Sequence, residues 1–169
     1  IILKKSITFI SAGHVSTQPR LRKIAETLVK ENEYDVTINC QHRSEWAYTS
    51  DVSWKNNYPQ IELNYIGGTP NSRWQLLESR LKFKVHRSLF GINHSKRKNV
   101  RSFDDYLKVC KNLKTDLVVI FGIGLLQLAP IIKRNRIPVI LDVEDYFSEE
   151  YHFGGSSSVK NWAKKIEST

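Results

Sequence analysis

Cysteine, methionine and acidic residues are scarce in this chain. The few cysteines exclude a disulfide-rich protein, and the deficit of acidic residues leaves the chain strongly basic. The 169 residues include no methionine and two cysteines, Cys40 and Cys110. Two cysteines do not make a disulfide framework, so we expect free buried thiols in a reducing cytoplasm. Seventeen Asp and Glu against twenty-six Lys and Arg leave a net charge of +9. Such an excess favours anionic partners: nucleic acid, an anionic membrane surface or a phosphate-bearing substrate.

Long apolar segments are also lacking. The most apolar stretch, residues 117–132, is interrupted by Gly122, Gly124 and Pro130. This pattern favours a strand followed by a helix over a membrane span. No secretory signal is recognisable, and the chain begins at Ile1, so we expect a processed or partial cytoplasmic protein. Its length suits one domain with one core.

Strand-like and helix-like segments alternate along the chain. Segments rich in β-branched and aromatic residues predict strands at 6–11, 34–39, 61–66, 117–121 and 137–141. Apolar periodicity and capping residues predict helices at 20–30, 73–90, 102–113 and 122–135, whereas 43–59 looks irregular. This alternation predicts an α/β, Rossmann-like fold of three layers, with a parallel sheet in strand order 3-2-1-4-5.

The loop between the first strand and the first helix is the first candidate site. Gly13 would let the backbone approach a diphosphate at a helix N-terminus, and His14, Thr17 and Gln18 offer polar groups to a substrate. Ligands of open α/β sheets bind where the strand order reverses, so Gly122 is expected at the same crevice. The structural alternatives are turns at both glycines, a surface histidine, and Thr17 as a helix cap.

The dinucleotide fingerprint is missing from this loop. The segment SAGHVS lacks the GxGxxG pattern, and the second strand ends in Asn39 and Cys40 with no acidic residue for a ribose. These two absences argue against an NAD enzyme.

The helix predicted at 73–90 is basic and has two apolar stripes. One stripe is expected to pack on the sheet: Trp74, Leu77, Leu81, Val85 and Leu89. The second stripe, predicted to be exposed, consists of Leu76, Phe83 and Phe90 and is flanked by Arg73, Arg80, Lys84 and Arg87. Exposed apolar residues between cations are typical of a helix that lies on anionic lipid. Alternatively, this stripe packs under the 43–59 segment and the charges are simply solvated.

Three segments together resemble one enzyme family. Residues 11–38, residues 115–150 and the beginning of a helix at 156–169 resemble the N-terminal, acceptor-side domain of GT-B glycosyltransferases. The resemblance is closest to the retaining group 1, family 4 enzymes, which have two Rossmann-like halves. It implies that residues 1–169 form a single Rossmann-like half and that a C-terminal half, outside this sequence, binds most of the nucleotide-sugar donor.

The resemblance also implies partners and binding residues. The acceptor would be a carbohydrate or a lipid-linked molecule, the nucleotide sugar would be a co-substrate, and no cofactor or metal would be needed. The family often has a D-x-H-D-like pattern after the last strand, where this chain has Glu144 in place of the histidine and Asp145 after it. A role that depends on imidazole is not carried over, whereas carboxylates can still accept hydrogen bonds from sugar hydroxyls. Asp145 as a helix cap is the alternative.

On this resemblance the protein is half of a polysaccharide-biosynthesis transferase, peripheral on the inner face of the membrane. The chain alone would not be catalytically competent, and no catalytic residue is assigned. One rival is another GT-B nucleotide-sugar enzyme, such as an epimerase. The other is a basic α/β module that binds nucleic acid, against which the sequence shows no nucleic-acid motif and only scattered aromatic residues.

Overall fold

Five parallel strands form the centre of the computed structural model, which describes residues 4–90 and 100–142. The strand order β3-β2-β1-β4-β5 and the α/β class confirm the prediction from the sequence. Neighbouring strands pair in parallel throughout the sheet. The strands are β1 Lys5–Ser11, β2 Tyr34–Gln41, β3 Glu62–Ile66, β4 Leu117–Phe121 and β5 Val139–Asp142.

The helices connect these strands. They are α1 Pro19–Lys30, α2 Glu45–Asn57, α3 Arg73–Phe90, α4 Phe103–Lys111 and α5 Ala129–Arg134. Within the described residues, short 3-10 helices precede α1, α3 and α5, at Val15–Thr17, Pro70–Ser72 and Ile123–Leu128. The prediction that residues 43–59 are irregular is wrong, because most of this segment forms α2. The sequence hides this helix since it buries only Ala47, Asp51 and Trp54, one of which is charged.

Each face of the sheet has its own hydrophobic core. Side chains alternate along β1, so that Phe9 points to one face and Ile10 to the other. The Phe9 side is covered by residues of α1 and α2, including Leu21 and Trp54. The Ile10 side is covered by α4 and α5, including Tyr106. Cys40 and Cys110 are buried free thiols, as expected.

The exposed face of α3 is the opposite of the one predicted. Leu76 is buried, whereas Trp74, Leu77 and Leu81 are 86%, 55% and 64% exposed. The reason lies in the loop after β3: the Ser79 hydroxyl donates a hydrogen bond to the Gly67 carbonyl at 2.8 Å, and Gly68 lies against the backbone of Leu76. This docking turns the Leu76–Ser79 side of the helix inward. Apolar periodicity alone could not choose between the two stripes.

The direction of the strands places the loops that follow them at one edge. β1 leads into α1 on one face of the sheet, and β4 leads into α5 on the other. The strand order therefore reverses between β1 and β4, which is where open α/β sheets form a ligand-binding crevice, and the loops that carry Gly13 and Gly122 lie on the two sides of this point. Both loops were predicted to flank this crevice.

Candidate functional site

His14 is buried in the centre of the carboxyl edge of the sheet. Its Nδ1 lies 2.7 Å from Asp51 Oδ2, and its Nε2 accepts hydrogen bonds from the backbone N–H groups of Arg43 at 2.8 Å and Ser44 at 3.2 Å. This network assigns a neutral imidazole with its proton on Nδ1. Both ring nitrogens are therefore occupied, and the geometry makes His14 a residue that positions the loop. Its predicted contact with a ligand stays a prediction.

Asp51 is the acceptor on which this network converges. Besides His14, the Tyr65 hydroxyl donates to Oδ2 at 2.8 Å and the Ser16 N–H donates to Oδ1 at 2.7 Å. Burial pushes the pKa of Asp51 upward, but the hydrogen bonds from His14, Ser16 and Tyr65 outweigh it and hold the pKa below its ordinary value. Burial also raises the pKa of Tyr65, so its hydroxyl remains a donor. The buried carboxylate thus ties α2 to the β1–α1 loop.

The other residues predicted in the β1–α1 loop stabilise the loop itself. The Ser11 hydroxyl accepts the Gly13 N–H at 3.0 Å and donates to Gln18 Oε1 at 2.7 Å. Thr17 does not cap α1, because its hydroxyl donates to the His14 carbonyl at 2.9 Å and Gln18 occupies the N-cap position. Substrate contacts of Gly13, Thr17 and Gln18 stay predictions.

Gly122 lies on the other side of the crevice and borders open space. Its φ is 91°, in the left-handed region that favours glycine, and among the described residues, apart from its two chain neighbours, no heavy atom lies within 4 Å of the position where a Cβ would stand. Nearby, at the end of β5, Asp142 accepts a hydrogen bond from Arg20 of α1 at 2.5 Å. This ion pair joins the ends of two elements on the carboxyl edge. Glu144 and Asp145, predicted to bind the acceptor, lie outside the described residues, as does the helix predicted at 156–169.

The flank of α3 carries the predicted cations. Arg73, Arg80 and Lys84 are exposed, and they border the exposed apolar residues of the helix. Arg87 belongs to the same helix, but its side chain lies outside the description. Phe83, predicted to be exposed beside these cations, is instead half-buried and faces α4 across a cleft. Contact of these residues with a membrane stays a prediction.

His42, Asp51 and Tyr65 were missed as site residues by the sequence analysis. His42 is 2% exposed, and its ring centroid lies 5.4 Å from that of His14. Burial lowers the pKa of His42, and the charges of Arg80 and Arg101 lower it further, so the neutral ring predominates at pH 7. The three residues come from different parts of the fold. A sequence signal exists only for His42, which directly follows β2 at the edge of the sheet where ligands bind.

The described part of the chain lacks both a metal-binding cluster and a membrane-spanning helix. Residues 4–90 and 100–142 contain no group of three or more His, Cys, Asp or Glu that could hold a metal ion. Within the same ranges, every helix is too short or too polar to cross a bilayer.

The fold is similar to that of TcCGT1, whose crystal structure was determined in complex with UDP. The two chains superpose with a TM-score of 0.54 and 16% sequence identity, over 83% of this chain and 28% of that chain. This chain therefore spans less than a third of the length of that protein. No family model and no curated protein matches the sequence. The likeness identifies the described sheet and helices as a Rossmann-like domain that matches half of a GT-B fold.

Proposed function

We propose that the chain is the acceptor-binding half of a nucleotide-sugar glycosyltransferase with a GT-B fold. The observation that carries this proposal is the five-stranded sheet whose strand order reverses between β1 and β4, in a fold shared with a protein crystallised with UDP. Residues 1–169 would be one Rossmann-like domain. The donor would bind mainly to a second domain outside this sequence, and transfer would take place between the two.

In this proposal the crevice next to Gly122 receives the acceptor. The open space at Gly122 leaves room for a ligand, whereas the β1–α1 loop opposite is held rigidly by the buried His14–Asp51 pair. A rigid loop pre-organises the crevice, which reduces the ordering required on binding. The chain itself supplies binding groups, and no residue of it is assigned a catalytic step. The retaining outcome belongs to the proposal, as does a carbohydrate or lipid-linked acceptor.

We further propose that α3 places the enzyme on an anionic membrane surface. Trp74, Leu77, Leu81 and Val85 are exposed on one stripe of the helix, with the cations Arg73, Arg80 and Lys84 beside them. The apolar side chains would enter the headgroup region while the cations contact lipid phosphates. The corrected stripe is larger than the one predicted from the sequence and includes a tryptophan, a residue enriched at membrane interfaces.

A transfer assay tests the proposed function. The full-length gene product that contains this chain is incubated with UDP- and GDP-sugars, with and without membrane lipid extract or oligosaccharides. We expect acceptor-dependent release of the nucleoside diphosphate, and a loss of this release when Gly122→Val fills the open space. Unfolding by urea, measured in parallel, separates a blocked crevice from a destabilised domain. Epimerised sugar without transfer, or no release with any donor, would contradict the proposal.

A further inference from the structure

A cavity at the carboxyl ends of β2 and β3 is lined by a buried histidine that has no hydrogen-bond partner in the described part of the chain. Its volume is about 400 Å³, within the range of about 300–1,000 Å³ typical of small-molecule sites. His42 lines it, and among the described residues neither ring nitrogen of His42 has a hydrogen-bond partner. Buried polar atoms normally have partners, so a histidine in this state beside a cavity indicates that a ligand supplies them.

The same cavity has a surplus of positive charge. Arg73 and Arg80 of α3 line it, and within residues 4–90 and 100–142 neither makes an ion pair with a carboxylate. Glu45 is the acidic residue in the lining, 72% exposed and 3.7 Å from His42 Nε2. One exposed carboxylate does not balance two arginines.

Arg101, which contacts the backbone of His42, adds a further positive charge near the cavity. Its guanidinium donates to the His42 carbonyl, and its own carbonyl accepts a hydrogen bond from Gln41 Nε2 at 2.5 Å. Burial, together with the charges of Arg80 and Arg43, lowers the pKa of Arg101 to about 10. The group is still protonated at pH 7, so its charge adds to those of Arg73 and Arg80 near His42, although Arg101 does not line the cavity.

We propose that this cavity, with His42, Arg73 and Arg80 in its lining, binds a phosphate group carried by the acceptor. This inference deepens the proposed function, on which it depends only for calling the ligand an acceptor. Guanidinium groups bind phosphate through two parallel hydrogen bonds, and a phosphate carries the negative charge that the cavity lacks. His42 donates one hydrogen bond as a neutral ring and takes up a proton as the phosphate approaches.

The apolar part of the lining indicates the direction in which the rest of a bound ligand extends out of the cavity. Pro70, Leu76 and Leu77 form this part, and Leu77 is also part of the exposed stripe of α3. A phosphate seated at His42 therefore has an apolar path beside it. A lipid phosphate and a water-soluble phosphate ester share the phosphate chemistry, and the experiment distinguishes them.

The test follows the His42 ring by NMR in the 169-residue chain. Inorganic phosphate and glucose 6-phosphate are titrated, and His42→Gln assigns the resonance. We expect phosphate to raise the pKa of His42 by about one unit or more, because an anion stabilises the protonated ring. Arg73→Gln with Arg80→Gln should weaken binding by about tenfold or more. The control is Lys23→Gln with Lys30→Gln, which removes the same charge from exposed sites on α1 and should leave binding unchanged.

Vesicles then identify the source of the phosphate. Phosphatidate and phosphatidylglycerol are compared at equal mole fraction in phosphatidylcholine. Preference for phosphatidate that is lost in the Arg73/Arg80 variant indicates a lipid phosphate; binding of glucose 6-phosphate without that preference indicates a soluble ester. Both results support the cavity as a phosphate site.

Two results would overturn the inference. One is a His42 resonance that phosphate does not shift, and the other is equal binding by the arginine and lysine variants. Neither depends on sugar transfer. Phosphate binding without any transferase activity would contradict the glycosyltransferase proposal and support the phosphate site. Transferase activity without phosphate binding at His42 would contradict the phosphate site alone.

Discussion

His14 Nδ1 and Asp51 Oδ2 lie 2.7 Å apart at two fully buried positions separated by 37 residues in the chain. The pair joins the β1–α1 loop to α2, and Tyr65 of β3 adds a third attachment. The loop beside the proposed acceptor crevice is therefore held by a hydrogen-bond network around one buried carboxylate.

Removal of the Asp51 charge should destabilise the whole domain. Asp51→Asn replaces a carboxylate that accepts bonds from three donors, and the amide leaves part of this buried network unsatisfied. We expect a loss of about 3 kcal/mol in the free energy of unfolding, measured with urea. Asp35→Asn, at an exposed position of β2, is the matched control and should change it by less than about 0.5 kcal/mol. Equal effects of the two substitutions would show that the network contributes nothing specific.

His42 should make stability depend on pH near neutrality. Its pKa is lowered in the folded state from the ordinary value of 6.5, so the unfolded chain binds the extra proton more readily. Stability is then fully present above about pH 7 and decreases as the pH falls through 6.5 toward the lower folded pKa. His42→Gln should flatten this part of the profile. Asp51 acts in a separate range, since its lowered pKa affects stability only as the pH falls below about 4. If the His42→Gln variant kept the same slope of stability between pH 7 and 5.5, His42 would not be the group responsible for it.

Two glycines with similar φ angles should tolerate alanine differently. Gly68 has a φ of 92°, and a Cβ there would stand 2.6 Å from the Leu76 backbone nitrogen, whereas Gly122 has a φ of 91° and open space. Gly122→Ala should therefore lower stability by about 1 kcal/mol through backbone strain alone. Gly68→Ala adds a backbone clash and should lower it by about 3 kcal/mol or prevent docking of α3. Thermal unfolding of both variants checks the order, and the reverse order would refute the placement of α3.

The exposed stripe of α3 should bind anionic vesicles through two separable contributions. Changing Arg80, Lys84 and Arg87 together to glutamate should abolish salt-sensitive binding to phosphatidylglycerol, since each cation contributes about 1 kcal/mol near such a surface. Leu77→Ser with Leu81→Ser should weaken a largely salt-insensitive part. Phe83→Ser, at a half-buried position, is the comparison and should affect vesicle binding less than the leucine changes. Co-sedimentation at two salt concentrations measures both parts, and unchanged binding of the charge-reversed protein would exclude a membrane role for this helix.

The sequence predicts the sheet well because the sheet depends on local patterns. The alternation of apolar strands with helices is sufficient for the order β3-β2-β1-β4-β5, and the bounds of β4 and α3 are as predicted. The misassigned segment, 43–59, is a helix with few apolar residues. Its buried face includes Asp51, whose burial is possible only because His14, Ser16 and Tyr65 are brought to it by other elements.

The site was predicted only in part for the same reason. Gly13 and Gly122 are recognisable because each follows a strand at the reversal point. The partners of His14, and the lack of hydrogen bonds to the His42 ring among the described residues, depend on contacts between residues distant in sequence, which no local pattern contains. The exposed face of α3 depends on the contacts of Ser79 with Gly67 and of Leu76 with Gly68, which apolar periodicity does not register.

Calorimetric titration with UDP- and GDP-sugars tests the central proposal most directly, because donor binding needs no knowledge of the acceptor. It compares the 169-residue chain with the full-length gene product that contains it. We expect the chain alone to bind these donors weakly or not at all, and the full-length protein to bind one of them in the micromolar range typical of substrates, about 1 μM–1 mM. Low-micromolar binding by the chain alone would show that this half binds the donor, which contradicts the proposed acceptor-binding role. Absence of binding by both proteins would contradict the assignment to nucleotide-sugar transfer.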